Sequence, residues 1–401
     1  MGRTGNFRLA TGNYTRMNGP LKLRESVAMF RPHADKAGGA KRLLVLVAVL
    51  GLVALELGYK LGEERIWRAS EERCNAVVNE MFRSGDWLVP RLGPAEPPRL
   101  QKPPLFYWAA TAAAKIAGGP SVVALRSVSL LAGLGLALSV FLWGRSLGGF
   151  ACGIASTLSL AAVALFVVRS RYGDIEPLLA LTSTLSLAIF ERLWQTRQAW
   201  LLPVLAICVA LAFLTKATAA VLTIGVPIGV WLALHRSLRL ALRPRVLAWV
   251  AVSAAAALSW YVVILVHVPG AMDNLLGFAL EPVGAARVVD SAAHTEPWFY
   301  YLLRFPVQAL PASLLLPWLV RDAVRTRFWR ADDRVRFIAT SLVAIITAWS
   351  LIPQKQMHYL LSLAPLYALL CGVFVTRFTS RYLHGAAPPD TRAGSSPRYN
   401  Q

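Results

Sequence analysis

Charge is scarce in this chain. Only 16% of its 401 residues are Asp, Glu, Lys or Arg, where an ordinary soluble domain carries about 25%. Acid is the scarcer sign, with 21 Asp and Glu against 42 Lys and Arg. A surplus of that size could mark a nucleic-acid binder, but here the basic residues fall in short clusters between apolar runs rather than on one stripe, which excludes that partner. Cysteine is also sparse. Of four, Cys152, Cys208 and Cys371 lie inside apolar runs and only Cys74 lies in a polar loop, so no disulfide framework is expected. Nor does the eye find an internal repeat of the kind inverted-repeat transporters show. What is abundant is apolar surface: 56% hydrophobic residues and a mean hydropathy of +0.50 place most of the chain in lipid.

The apolar runs predict an all-α, polytopic membrane protein of about ten transmembrane helices, each needing roughly 20 residues to cross the hydrocarbon. They lie near 42–59, 121–143, 150–168, 176–191, 200–215, 218–234, 246–266, 299–320, 337–353 and 359–376. The stretch 104–118 is also apolar, yet it is short, contains Lys115 and ends at Gly118-Gly119-Pro120, so it is expected to lie along the membrane surface. Counting it as a span would invert everything after it. With it left out, the arginines of 192–197, 236–245, 321–336 and 377–398 share the cytoplasmic side, as the positive-inside rule requires. Residues 1–41 then form a basic cytoplasmic tail rather than a cleaved leader. Residues 42–378 form the membrane domain, with outer loops 60–120 and 267–298. Residues 379–401, rich in Pro, Ser and Arg, form a disordered cytoplasmic tail. Localisation in the plasma (inner) membrane is expected.

This topology brings distant ionisable residues to the outer face: Glu71, Glu72, Arg73, Lys102, Arg169, Arg171, Asp174, Lys216, Glu281, Asp290, His294, Glu296, Lys355 and His358. Ionisable groups at membrane depth are costly and usually functional, which marks Asp174, Lys216 and Lys355 in particular. For Glu71 the plain alternative is a solvated carboxylate paired with Arg73 or Arg68, and for Asp174 an interfacial ion pair with Arg169 or Arg171. Lys102 either snorkels or is aimed by the rigid Pro103-Pro104 that follows it. His294 and His358 lack close ligand spacing and make a weak metal signal. The aromatic runs Phe106-Tyr107-Trp108 and Trp298-Phe299-Tyr300-Tyr301 suit an interfacial belt, without excluding contact with a sugar.

The outer loops also carry motifs in a fixed order. Ser70-Glu71-Glu72-Arg73 is followed by Ser84-Gly85-Asp86-Trp87 and then Gln101-Lys102-Pro103-Pro104-Leu105-Phe106-Tyr107-Trp108. Later come Arg169 to Asp174, Phe213-Leu214-Thr215-Lys216, Trp260-Tyr261, Pro297-Trp298-Phe299-Tyr300-Tyr301, and Pro353-Gln354-Lys355 through His358-Tyr359. Together they resemble the polyprenyl-phosphate-sugar glycosyltransferases of GT-C type, specifically the lipid A aminoarabinose transferases and their protein O-mannosyltransferase relatives. The resemblance covers about residues 42–376. Two positions depart from it: the family's usual base aspartate falls on Ser70, and the family's loop glutamate, which can be a metal ligand, falls on Gln101. No further soluble domain is expected after the last helix.

The resemblance implies transfer of a sugar from a polyprenyl-phosphate donor to a hydroxyl of a lipid, glycan or protein at the non-cytoplasmic face. Such chemistry needs a carboxylate to take the acceptor proton and cations to hold the departing phosphate. Glu71 is the expected base, and attack opposite the phosphate gives inversion. Arg73, Lys102, Arg169, Lys216 and Lys355 are the expected phosphate-binding residues, with Asp174 positioning the acceptor or a divalent ion and serving as base if Glu71 stands too far away. Glu72, Gln101, Tyr107, His358 and Tyr359 are acceptor-side or structural candidates. No cofactor is required, and a divalent metal stays open. Two other functions compete: a silent relative that binds lipid-linked sugar, for which Ser70 and Gln101 argue, and a flippase of lipid-linked sugars. A flippase should spread ionisable residues along a path through the membrane, whereas here they crowd one face.

Overall fold

The computed structural model describes residues 38–66, 68–280, 296–330 and 332–384. The expected tails beyond these bounds, and Glu281, Asp290 and His294, lie outside the described residues. Within them every regular element is helical, apart from one isolated bridge between Val163 and Pro311.

The first helix, α1 (Gly39–Gly58), is apolar over most of its surface and exposes Leu43, Leu44, Val47, Leu52 and Leu55, as a lipid-facing helix does. Two shorter helices follow in the outer loop. Helix α2 (Ala69–Ser84) buries Cys74, Val77, Val78 and Met81 at i, i+3, i+4 and i+7, and stops at Gly85, whose φ of 72° is a left-handed cap that L side chains rarely adopt. Helix α3 (Leu105–Ile116) starts behind Pro103-Pro104 and buries Phe106, Tyr107, Ala110, Thr111 and Ala114. These faces pack on each other and on Ala124, Leu125 and Ile175, forming a satellite core separate from the main one. Within 104–118, Leu105–Ile116 form a helix of 12 residues, too short to cross the hydrocarbon by itself.

Helix α4 (Val122–Ala161) is 40 residues long, which at 1.5 Å per residue would be about 60 Å, twice the thickness of the hydrocarbon. It is broken at Gly148 and Gly149, the latter at φ 81°. The two arms fold back on each other: a Cβ on Gly153 would meet the carbonyl oxygen of Phe141 at 2.7 Å, so only glycine allows that approach. The second arm ends at Ala162. The segment around Pro311 takes up its loose backbone groups, with Ala312 N donating to Ala162 O at 3.1 Å and Ala164 N donating to Leu310 O at 2.8 Å.

Helices α5 (Ala164–Arg171) and α6 (Glu176–Thr196) meet at a 120° bend. Helix α7 (Leu201–Ala220) is interrupted at Lys216 and runs through a π-helical turn into α8 (Val226–Leu234). Then come α9 (Pro244–His267), α10 (Ala271–Leu280), α11 (Tyr300–Gln308), α12 (Leu316–Thr326), α13 (Asp333–Leu351), a 3-10 turn (Met357–Leu363) and α14 (Ala364–His384). Among the described residues five helices are long and apolar enough to cross a membrane, or six if the bent α5–α6 pair counts as one span. The ten expected spans do not map one to one onto helices. Runs 121–143 and 150–168 share α4 and its continuation, and the expected span 299–320 is broken between α11 and α12 where Pro311 turns the chain into α4.

Candidate active site

Three buried ion pairs gather where α2, α4, the α5–α6 bend, the Lys216 break and the turn before α14 meet.

The first joins Glu71 on α2 to Arg126 on α4, both almost completely inaccessible. Arg126 Nε donates to Glu71 Oε1 at 2.6 Å and Nη2 to Oε2 at 3.2 Å. The other N–H groups reach the carbonyls of Leu61 at 3.1 Å, Glu63 at 2.7 Å and Arg65 at 2.9 Å. All five guanidinium donors are thus used. Glu71 Oε1 also accepts from Gly173 N at 3.0 Å, which ties the α5–α6 bend to α2. The expectation that Glu71 is the base, or else a loop carboxylate paired with Arg73 or Arg68, does not fit this placement: both oxygens are engaged by Arg126 in a site that excludes solvent. Glu71 is a strut.

The second pair is Arg169 with Asp174, Nη1 to Oδ2 at 2.5 Å, with Arg169 rather than Arg171 as the partner. Arg171 turns away to Tyr59, donating to its carbonyl at 2.6 Å. Asp174 Oδ1 accepts from Glu176 N at 3.3 Å, while Ser129 Oγ accepts from Asp174 N at 2.9 Å and donates to Asp174 O at 2.8 Å. The residue closes the bend and caps the start of α6.

The third pair was not foreseen. Lys216, placed where α7 loses its helical geometry, donates to Glu176 Oε1 at 2.5 Å. His358 Nε2 stands 3.3 Å from the same oxygen. Tyr359 covers the lysine, its ring centroid 4.3 Å from Nζ, and stacks in turn on Trp349 at 4.2 Å.

Lys102 stands beside this cluster. Burial, reinforced by the charges of Lys216 and Arg99 and opposed by those of Glu176 and Asp174, pulls its ammonium down to about 7. Among the described residues no carboxylate lies within ion-pair distance of it. Tyr107, behind it, is buried with its phenol pushed up by desolvation and hydrogen-bonded to Arg99. Burial likewise pushes the Cys74 thiol up to about 12, so it is neutral and packs as a small apolar group.

The remaining expected residues are placed apart from the cluster. Glu72, Arg73 and Gln101 are exposed on the outer loop. Lys355 is buried, but its ammonium donates to the carbonyls of Glu296 at 2.9 Å and Ile352 at 2.6 Å. That corrects its expected phosphate role: it clasps two outer segments together. Tyr301 Oη, accepting from Gln356 N at 3.0 Å, holds the turn that presents His358. Among the described residues no three His, Cys, Asp or Glu side chains converge in a way that could hold a metal ion.

The motif Ser84-Gly85-Asp86-Trp87 is a turn rather than a reactive group. Asp86 Oδ1 accepts from Leu88 N at 2.8 Å and Val89 N at 3.2 Å. The indoles of Trp108 and Trp260 donate to the carbonyls of Trp87 at 2.5 Å and Leu88 at 2.9 Å, anchoring the loop over the site.

Sequence reasoning missed Arg126, Glu176 and Arg99. For the first two the signal was available, since each is a charge inside or at the edge of an apolar run. For Arg99, in an irregular loop, no such signal exists.

Residues 101–266 match the family model described as dolichyl-phosphate-mannose-protein mannosyltransferase. Similar sequences include an uncharacterized protein of Aquifex aeolicus (strain VF5), 25% identical over 342 residues and covering 84% of this chain and 64% of the relative. Another is the undecaprenyl phosphate-alpha-4-amino-4-deoxy-L-arabinose arabinosyl transferase of Pseudomonas savastanoi pv. phaseolicola (strain 1448A / Race 6), 27% identical over 344 residues, with 83% of this chain and 61% of the relative covered. This chain thus spans somewhat under two thirds of the length of the curated relatives it matches. Among solved structures, ArnT from Cupriavidus metallidurans bound to undecaprenyl phosphate superposes with a TM-score of 0.70 at 19% identity, covering 86% of this chain and 62% of that one. The fold is that of ArnT, a GT-C fold, as the motifs implied.

Proposed function

We propose that this chain, ArnT-like in fold and similar in sequence to lipid-linked-sugar glycosyltransferases, transfers a sugar from a polyprenyl-phosphate donor to an acceptor hydroxyl. The observation that carries this reading is Lys102: a desolvated ammonium with no carboxylate partner among the described residues, beside Lys216 and Arg99. A half-buried, desolvated cation without a counter-ion is costly. A phosphate on the donor lipid supplies the missing charge, while its polyprenyl tail stays in lipid.

In the reaction the acceptor oxygen attacks the anomeric carbon from the face opposite the phosphate. The bond from that carbon to the phosphate oxygen breaks, and polyprenyl phosphate leaves with the electron pair. Lys102, Arg99 and Lys216 stabilise the charge that grows on the leaving phosphate. Asp174, held by Arg169 and Ser129, sets the bend against which the acceptor is positioned. The distribution of the arginine clusters supports a site on the non-cytoplasmic face of the inner membrane.

The test is release of free polyprenyl phosphate by the purified protein in lipid nanodiscs, given a panel of polyprenyl-phosphate pentoses and hexoses and a crude envelope acceptor. Release with one donor, weakened by Lys102→Ala, supports the transferase. A second reading, a relative that binds the donor without turning it over, is favoured by Ser70 at the usual base position and by the locked Glu71. Binding of every donor with release of none would establish it.

A further inference from the structure

Three carboxylates stand near the site, and they differ in what is left for a substrate. Glu71 has both oxygens on Arg126. Asp174 has Oδ2 on Arg169 and Oδ1 on the N–H of Glu176. Glu176 is different: Lys216 and His358 both approach Oε1, and among the described residues Oε2 has no partner. A general base must accept a new hydrogen bond from the group it deprotonates. Of the three, Glu176 has an oxygen to offer.

We propose that Glu176 is the general base of the transfer reaction, in place of the carboxylate that Ser70 does not provide. This rests on the transferase reading above. Its position suits the task, because the residue begins α6 next to the Asp174 bend, and its charge and that of Lys102 act directly on each other. Base and cation thus stand in one cluster, with Lys216 ion-paired to Glu176 and its charge acting on Lys102. As the acceptor oxygen bonds to the anomeric carbon, its proton passes to Glu176 Oε2 and the sugar–phosphate bond breaks. One proton and one sugar change hands, and no further reactant is needed. Loss of that proton from Oε2 to solvent returns Glu176 to its starting state, with His358, 3.3 Å from Oε1, holding the other oxygen in place. Lys216 has two roles in sequence: it holds Oε1 before the donor arrives, and shares its charge with the phosphate afterwards, which frees the carboxylate to accept the proton.

The experiment compares wild type, Glu176→Gln and Glu176→Asp in nanodiscs, using the donor found active in the panel, with initial rates, KM for the donor, and equilibrium binding of unsubstituted polyprenyl phosphate. Glu176→Gln is expected to lower kcat by about 10²- to 10⁴-fold, the span typical of a lost general base, while polyprenyl phosphate still binds. Glu176→Asp keeps the charge on Lys216 but draws the oxygen back by one methylene, so kcat falls while binding and thermal stability hold. An unchanged kcat in folded Glu176→Gln overturns the proposal. Should that variant fail to fold, Glu176→Asp decides alone, and an unchanged kcat there overturns it equally. A wild type that releases nothing from any donor defeats the transferase reading itself, a result distinct from an active enzyme indifferent to Glu176.

Discussion

Two buried ion pairs, Glu71–Arg126 and Glu176–Lys216, meet around the α5–α6 bend, yet they are built to different ends. In the first, every guanidinium donor and both carboxylate oxygens are satisfied, and the partners are backbone carbonyls of the segment that enters α2. In the second, one oxygen faces both Lys216 and His358, its neighbour is open, and the half-buried Lys102 stands alongside with no carboxylate within ion-pair distance among the described residues. A closed network fixes a fold, because nothing can be added to it and removing any part leaves a buried charge uncompensated. An open network binds, because its valences are completed only by a ligand. Burial and charge alone do not separate structural from functional ionisable residues in a membrane protein; the count of satisfied hydrogen-bond sites does.

The sharpest way to break this comparison is to cut the closed network. Glu71→Gln leaves Arg126 buried and half-paired and should cost about 3–5 kcal/mol, read as a large loss of thermal stability and of folded yield. Adding Arg126→Met should recover part of that loss. If instead Glu71→Gln is stable and only kcat falls, Glu71 is the base and the distinction drawn here is wrong.

Next in size is the open network. Lys102→Ala should weaken binding of polyprenyl phosphate by about 1.5–3 kcal/mol, the worth of a hydrogen bond to a charged group, or roughly 10- to 100-fold, with little effect on thermal stability. In the free protein Lys102 even carries a desolvation cost. Wild-type-like affinity in this variant would remove the observation on which the proposed function stands.

A smaller effect concerns protons. With its ammonium pulled down to about 7, Lys102 is charged in the free protein below that value and increasingly neutral above it. Phosphate favours the charged form and raises the pKa on binding. Donor binding at pH 8 should therefore take up protons, binding at pH 5.5 should not, and affinity should fall as pH rises through 7 to 9. Calorimetry in buffers of different ionisation enthalpy reads the uptake directly. In Lys102→Ala the uptake should vanish.

Much of this was legible in the sequence, and the reason is periodicity. Apolar runs of span length located α1, α4, α6, α7, α9, α13 and α14, and the short run ending at Gly118-Gly119-Pro120 announced the short helix α3. Where long-range contacts decide, legibility stopped. Residues 299–320 look like one span, but the segment around Pro311 satisfies the broken backbone of α4, a partner no local pattern can name. The same limit applied to the site. Asp174 with Arg169 was found because the two are five residues apart. Glu71 with Arg126, 55 residues apart, and Glu176 with Lys216, 40 apart, required the fold. Lys355 shows the converse: a charge between apolar runs is costly, and sequence cannot tell whether carbonyls or a substrate meet that cost.

Lys355 thus supplies the smallest expected effect and a control on the whole comparison. Two of its three donors are taken by Glu296 O and Ile352 O, and it is absent from the groups that act on Lys102. Lys355→Met should therefore leave binding of polyprenyl phosphate unchanged while loosening the clasp between the segment before α11 and the turn before the last helix. Two backbone hydrogen bonds to a charged donor are lost, but the carbonyls lie at the outer edge, where water replaces much of what is removed, so the cost should be about 1 kcal/mol, measured as a shift in thermal unfolding. Should Lys355→Met instead weaken phosphate binding as strongly as Lys102→Ala, satisfied valence would not be the property that separates the two kinds of buried charge. The cation cradle would then extend across the outer face to the α11 segment, and the closed and open networks would have to be redrawn as one.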